Sequence, residues 1–393
     1  MRRCERSWIH HYMEFTKFVE PPGKFHLWTA LSILSATLGR RVYMRRGLFT
    51  LFPNLYVGLI GPTGLGKSTA GEIGIDHFGP TILNSGSEIM RGKVTSWYLY
   101  EWFGQMSQAG MSSIFYLFSS ELKTLLGDLN KSELVAMLTD IYGCPSNAEY
   151  RTKTHGIIKL KNVYPNLLIC STPEWMTLGI SADDVSGGFP GRFIYVCETR
   201  TERNFPFPED FYGVSEVEEN KGILMEDLSQ IATLEGPVIL TDEAKARYTM
   251  WYVDRMKVVM DERLRGYFSR KRDHLLKVAT LVAVAEGDSL VITDKHLETA
   301  ESILKGTEGN MVMAFKGIVE DPVLKFRETV LDQVRAEKET TVDKLLRMNS
   351  TRLDLESLRR VLDTLSGEGR LKWEPTGQDK HGRARWVVKF TED

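Results

Sequence analysis

"NLYVGLIGPTGLGKST" (residues 54–69) runs from a strand-like apolar segment straight into a glycine-rich turn closed by Lys67 and Ser68. The turn satisfies G-x-x-x-x-G-K-[ST] in full. It follows a strand and leads into a helical stretch, the context that pattern requires. Gly61, Gly64 and Gly66 let backbone N–H groups converge on phosphate oxygens where any Cβ would intrude. The whole run, Gly61, Pro62, Thr63, Gly64, Leu65, Gly66, Lys67, Ser68 and Thr69, is therefore the candidate nucleotide-binding segment. Lys67 can set its ammonium at the β/γ oxygens of ATP, and Ser68 can give its hydroxyl to Mg²⁺. The alternative, a glycine turn with no ligand, needs neither the lysine nor the flanking strand and helix.

Working outward, residues 47–200 alternate short apolar runs with helical stretches: "NLYVGLI", "TILN", "SSIFYLF", "NLLICST" and "RFIYVCE". Strands separated by helices of this length predict an α/β domain with a parallel sheet. Residues 1–46 read as an N-terminal helical segment of two helices. The second, "FHLWTALSILSATLGRRVYM" (25–44), is apolar around most of its circumference and so is expected to be buried. The core domain is bounded at 47–202 by the proline-rich "RNFPFPEDFYG" (203–213). Residues 203–318 form the next segment, almost entirely helical from 215 onward, with Thr241 and Thr293 as N-caps. Residues 319–393 read as three short helices and a two-stranded ribbon, the outline of a winged helix.

The chain has 393 residues, 42% hydrophobic and 26% charged, with a net charge of −2. That length suits two or three domains with their own cores. The near-zero charge excludes a global basic field, though not a locally basic groove. Cys4, Cys144, Cys170 and Cys197 form no CxxC pair and read as buried thiols of a reducing compartment. No apolar run approaches a membrane span, so a cytoplasmic protein without membrane contact is expected.

"IFYLFSSELKTLL" (114–126) is the second informative strand. A strand that ends in Glu121 suits an enzyme in which that carboxylate orients the attacking water. The position before it holds Ser120, which can accept a hydrogen bond from a metal-bound water but brings no charge. "SSEL" can also cap the helix that follows. Both readings can hold at once.

From Glu121 onward the chain resembles the AAA+ ATPases of the pre-sensor-1 hairpin group. Within that group it is most similar to minichromosome-maintenance helicases and to the helicase-like ATPases of phages and mobile elements. "THGIIKLKNVYPNLLICSTP" (154–173) resembles the stretch in which a hairpin glycine leads to an Asn-Pro pair ending a strand. Thr172 stands where the family has its sensor asparagine, and Ser120 where it has an aspartate. "GGFPGRFIYV" (187–196) resembles the Ser-Arg-Phe-Asp segment and implies Arg192 as an arginine finger. "FSRKRDHLLKVATLVAVAEG" (268–287) resembles the lid, with a sensor arginine at Arg270 or Arg272. The resemblance thus implies a P-loop AAA+ parallel sheet with a helical lid and a C-terminal winged helix. It implies Glu121, Lys67, Arg192 and Thr172 as catalytic residues, ATP and Mg²⁺ as cofactors, and a homo-oligomer, expected to be a hexamer.

In that family the hairpin holds a DNA backbone in a central channel. Here "EYRTKTHGIIKLK" (149–161) offers Arg151, Lys153, His155, Lys159 and Lys161 to single-stranded DNA. A solvated amphipathic hairpin is the bland alternative. In "LDLESLRRVLDTL" (353–365), Arg359 and Arg360 can reach DNA if this is a recognition helix, although winged helices also dock proteins. The aromatic run "WYLYEWF" (97–103) reads as packing rather than a base-stacking platform. Two functions remain open. One is an ATP-driven DNA translocase or helicase in phage or mobile-element replication. The other is an ATP-switched helicase loader or initiator with slow hydrolysis, which the uncharged Ser120 favours. A small-molecule P-loop kinase fits the C-terminal half poorly.

Overall fold

The structure, a computed structural model, describes residues 6–126, 131–152, 156–179, 188–211, 213–254, 264–315, 326–350, 353–378 and 384–391. The chain forms two compact units, Met1–Lys316 and Gly317–Asp393.

The first unit opens with α1 (Trp8–Phe15) and α2 (Gly23–Leu38), then an antiparallel pair, β1 (Val42–Arg46) and β2 (Phe49–Leu51). Helix α2 is buried along nearly its whole length, as its all-round apolar surface requires. It ends six residues earlier than the apolar pattern suggests. Gly39 turns at φ +57°, a conformation that favours glycine, and the chain leaves as strand β1. Arg40 and Arg41 stabilise this exit by donating to backbone carbonyls of Cys144, Val163 and Ser85. A helix continuing through them would withdraw those donors.

Strand β3 (Tyr56–Ile60) leads through the glycine loop into α3 (Lys67–Asn84). There follow β4 (Glu88–Arg91), α4 (Ser96–Gln108), β5 (Ile114–Ser119), α5 (Leu122–Leu126) and α6 (Lys131–Ile141). A two-stranded hairpin, β6 (Asn147–Thr152) and β7 (Gly156–Lys161), precedes β8 (Tyr164–Ser171), α7 (Pro173–Gly179) and β9 (Phe193–Cys197). Strands β4, β5, β8, β3 and β9 form, in that order, one five-stranded sheet in which every pairing is parallel. Strands β3, β8 and β9 are buried at every position, which explains their unbroken apolar runs. Strand β8 comes late in the chain yet inserts between β3 and β5. That insertion brings the carboxyl ends of all three strands side by side.

Helices α8 (Val214–Ile231), α9 (Asp242–Asp254), α10 (Arg265–Glu286) and α11 (Asp294–Glu308) complete the unit. Between them lie three two-residue strands, β10 (Gly236–Pro237), β11 (Ile239–Leu240) and β12 (Val291–Ile292). β10 joins β1, and β11 pairs with β12, both in parallel. Strands this short carry no periodicity to read. Thr293 caps α11 as expected, in a reciprocal box with His296. Trp8 donates to the Leu224 carbonyl at 2.9 Å, tying α1 to α8 across 216 residues.

The second unit contains α12 (Arg327–Glu337), β13 (Glu339–Thr341), α13 (Val342–Met348), α14 (Leu355–Gly367), β14 (Leu371–Gln378) and β15 (Ala384–Phe390). Its sheet is antiparallel in the order β13-β15-β14, so a third short strand extends the expected ribbon. Val334, Leu345, Leu358, Leu362 and Leu371 form its core, against which Trp373 and Trp386 pack with ring centres 4.7 Å apart. Among the described residues, no helix is long and apolar enough to cross a membrane. Cys144, Cys170 and Cys197 are free and buried, while Cys4 lies outside the described residues.

Candidate functional site

The loop Gly61–Thr69 sits at the carboxyl end of β3, where open parallel sheets bind their ligands. Gly66 takes φ +73°, and a Cβ there would come within 2.6 Å of the Pro21 ring. Glycine is thus required both by conformation and by the close approach of the N-terminal segment. Helix α3 begins at Lys67, so its first-turn amides face the loop's concavity without intrahelical acceptors. Lys67 is only 9% exposed, and its Nζ donates to the carbonyls of Gly61 (2.9 Å) and Pro62 (2.7 Å). Burial depresses this ammonium from its ordinary value, opposed by Cys170, Glu174 and Glu121.

A cavity of about 380 Å³ opens beside the loop. Lys67, Ser68 and Thr69 line one side of it; Ser120, Glu121, Ser171 and Thr172 line it from the ends of β5 and β8. Ser68 Oγ donates to the Ser120 carbonyl at 3.3 Å, which joins the start of α3 to the end of β5. Ser119 Oγ donates to the Glu121 carbonyl at 2.8 Å and so shapes the turn that presents Glu121. Thr172 Oγ1 accepts from the Trp175 amide at 3.4 Å, so it caps α7 while facing the cavity. Four residues singled out from sequence, Lys67, Ser68, Glu121 and Thr172, therefore share one concavity. Lys123 and Trp175 line it as well. Their ring-to-ammonium contact spans 52 residues, and no local pattern announces it.

Arg192 lies elsewhere. It precedes β9, whose Phe193 is opposite Tyr56 and whose Cys197 is opposite Ile60, the last residue before the loop. It is thus separated from its own chain's loop by the length of the strand, about 16 Å at roughly 3.3 Å per residue. Its Nη1 donates to the Gly188 carbonyl at 2.6 Å, and its buried Nε finds no partner among the described residues. Burial depresses the guanidinium, and the charge of Arg270 adds to the effect. A Cβ on Gly188 would touch both guanidiniums, at 3.2 Å from Arg192 and 3.7 Å from Arg270. Arg270 therefore joins Arg192. Arg272 instead bonds Tyr252, the main cause of its raised affinity for its proton.

This pairing depends on a backbone contact. A Cβ on Gly191 would meet the Gly266 backbone at 2.7 Å. Gly191→Ala is expected to cost about 2 kcal/mol, the usual penalty for forcing atoms into packed space. A lower midpoint of urea unfolding with unchanged slope will report it, and an unaltered midpoint would show that the contact yields freely.

The hairpin pairs Arg151 with Ile157, Glu149 with Lys159, and Asn147 with Lys161. Directly opposed residues share a face, so Arg151, Lys159 and Lys161 lie together on the exposed one, with Glu149 3.4 Å from Arg151. Ile158 and Leu160 are buried on the other face, and Tyr150 meets Tyr100 of α4 with ring centres 5.4 Å apart. Lys153 and His155 lie outside the described residues. In the "WYLYEWF" run, Leu99, Tyr100, Trp102 and Phe103 are buried, while Trp97 and Tyr98 are about half exposed. In the second unit, Arg359 and Arg360 lie on the exposed side of α14, opposite its buried Leu358, Val361, Leu362 and Leu365.

A second concavity, about 650 Å³, is lined by Pro22, Lys24, Glu198, Arg203 and Asn310 among others. It adjoins the phosphate loop, since a Cβ on Gly61 would lie 2.6 Å from the Glu198 carbonyl. Lys24 and Glu198 pair across it at 2.7 Å. Comparison with protein-family profiles and with curated proteins gives no match to this chain.

Proposed function

We propose that this chain is an ATPase of the AAA+ type that acts on DNA as a ring-shaped oligomer, a translocase or helicase. The observation that carries the reading is the shared cavity of Lys67, Ser68, Glu121 and Thr172. Lys67 and the first-turn amides of α3 would hold the phosphates, and Glu121 would orient the attacking water. The adjoining concavity at Lys24 and Glu198 has room for the nucleoside half. Mg²⁺ fits the donors present: Ser68 offers one hydroxyl, and this ion usually keeps several waters beside its phosphate ligands. It would neutralise charge on the transferred phosphoryl group. Ser120 contributes a neutral hydrogen-bonding group there.

Arg192 and Arg270 support an oligomer. Arg192 lies a strand's length from its own loop and Arg270 lies beside it, so on this reading they would serve the nucleotide of a neighbouring copy rather than their own. The exposed face of Arg151, Lys159 and Lys161 supports a sequence-blind grip on a phosphate backbone. The helices after β9 would then be the lid, and the second unit a winged helix presenting Arg359 and Arg360 to DNA or protein. A nucleotide-switched loader with slow hydrolysis is favoured by one observation, the missing carboxylate at Ser120.

Hydrolysis measured with and without single-stranded DNA separates the two readings, since a motor is stimulated and unwinds duplex. For the triple variant Arg151→Ala, Lys159→Ala and Lys161→Ala, the expected result is weaker DNA binding. Its slope of log affinity against log salt should be shallower by about 2, at roughly 0.7 per phosphate contact. Basal hydrolysis should persist. DNA binding with the wild-type slope would move the grip away from this hairpin and favour the loader.

A further inference from the structure

We propose that Lys123, held on the ring of Trp175, is a second phosphate-binding cation of the cavity and contacts the terminal phosphate of a nucleoside triphosphate. The inference rests on the nucleotide reading of the loop and adds a residue that the motif does not contain. Lys123 is the second residue of α5, just beyond the end of β5, and Trp175 belongs to α7, just beyond β8. Both line the same cavity as Lys67 and Glu121. Lys123 Nζ lies 4.4 Å from the Trp175 ring centre. A ring face positions an ammonium without cancelling its charge, as a carboxylate would. The cation therefore remains available to an anion in the cavity.

Its location selects the terminal phosphate. Lys67 approaches from the loop, whereas Lys123 approaches from the wall built by the ends of β5 and β8, which also carries Glu121. The charges on that wall fit the assignment. Ser120 contributes none; Glu121 lines the cavity together with Lys67 and Lys123, and Glu174 acts on Lys67 from beside it. Such a wall suits the more highly charged triphosphate over the diphosphate.

The test is equilibrium binding of ADP and of ATPγS, each with Mg²⁺, to the full chain. Lys123→Met keeps the aliphatic stem against Trp175 and removes only the charge. ATPγS affinity is expected to fall about tenfold, the scale of one charge-assisted hydrogen bond. ADP affinity should stay at the wild-type value, and Lys123→Arg should restore the difference. If Lys123→Met binds both nucleotides as wild type does while Lys67→Ala binds neither, this inference is overturned and the nucleotide reading stands. An equal loss for ADP and ATPγS also overturns it, because Lys123 would then support the cavity without sensing the third phosphate. A wild-type chain that binds neither nucleotide overturns both readings.

Discussion

Lys67→Ala is expected to lower ATP and ADP affinity by at least about a hundredfold, with little loss of fold stability. Two charge-assisted hydrogen bonds to phosphate, at roughly 1.5–3 kcal/mol each, set that scale. The lysine, the first residue of α3, is only 9% exposed, with burial working against its charged form. In the structure its ammonium is satisfied by two loop carbonyls, at 2.9 and 2.7 Å. Alanine removes those bonds but also removes a charge held out of water, so the two effects on stability oppose each other. Calorimetric titration with ADP measures the affinity, and thermal melting without nucleotide checks the fold. Wild-type affinity in a folded variant would remove the basis of the ATPase reading.

Glu121→Gln should leave nucleotide affinity within a few-fold of wild type and reduce turnover by about 10²–10⁴, the range of a positioned general base. The substitution keeps the side chain's shape and its place at the end of β5 while removing the carboxylate that polarises water. Its neighbours favour a clean result. The turn that presents Glu121 is shaped by the Ser119 hydroxyl on the Glu121 carbonyl, a bond the substitution does not touch. Single-turnover hydrolysis of radiolabelled ATP, measured beside binding, separates the two effects. Normal turnover in this variant would transfer the base role elsewhere in the cavity. Glu174, next to the cavity-lining Trp175, would be the first group to test: its own backbone amide and the Thr172 hydroxyl hold its carboxyl below the ordinary range, and the charge of Lys67 adds to the effect.

The local parts of this protein were legible in one dimension. The glycine loop specifies its own conformation, because the positive φ at Gly66 and the helix start at Lys67 are properties of adjacent residues. The fully buried strand Tyr56–Ile60 was legible from its apolar run, and the parallel α/β sheet from the alternation of such runs with helices. The Thr293 cap needed only its own turn.

Contacts between distant segments were not legible, because a pairing across tens of residues leaves no periodic trace in either partner. The insertion of β8 between β3 and β5 sets Thr172 and Trp175 beside Glu121 and Lys123. The meeting of Gly191 with Gly266 brings Arg270, rather than Arg272, to Arg192. The apolar pattern of α2 also runs on past its end, since periodicity cannot see Arg40 and Arg41 drawn to the carbonyls of Cys144, Val163 and Ser85. The run "TILN" (81–84), read with the strands, belongs instead to the end of α3, and β4 follows at Glu88–Arg91. The sequence by itself determined the loop, the strands β3, β5, β8 and β9 and the chemistry each can present. Only the tertiary structure decided which of them face one another, because strand order and close packing are set by contacts whose partners lie far apart along the chain.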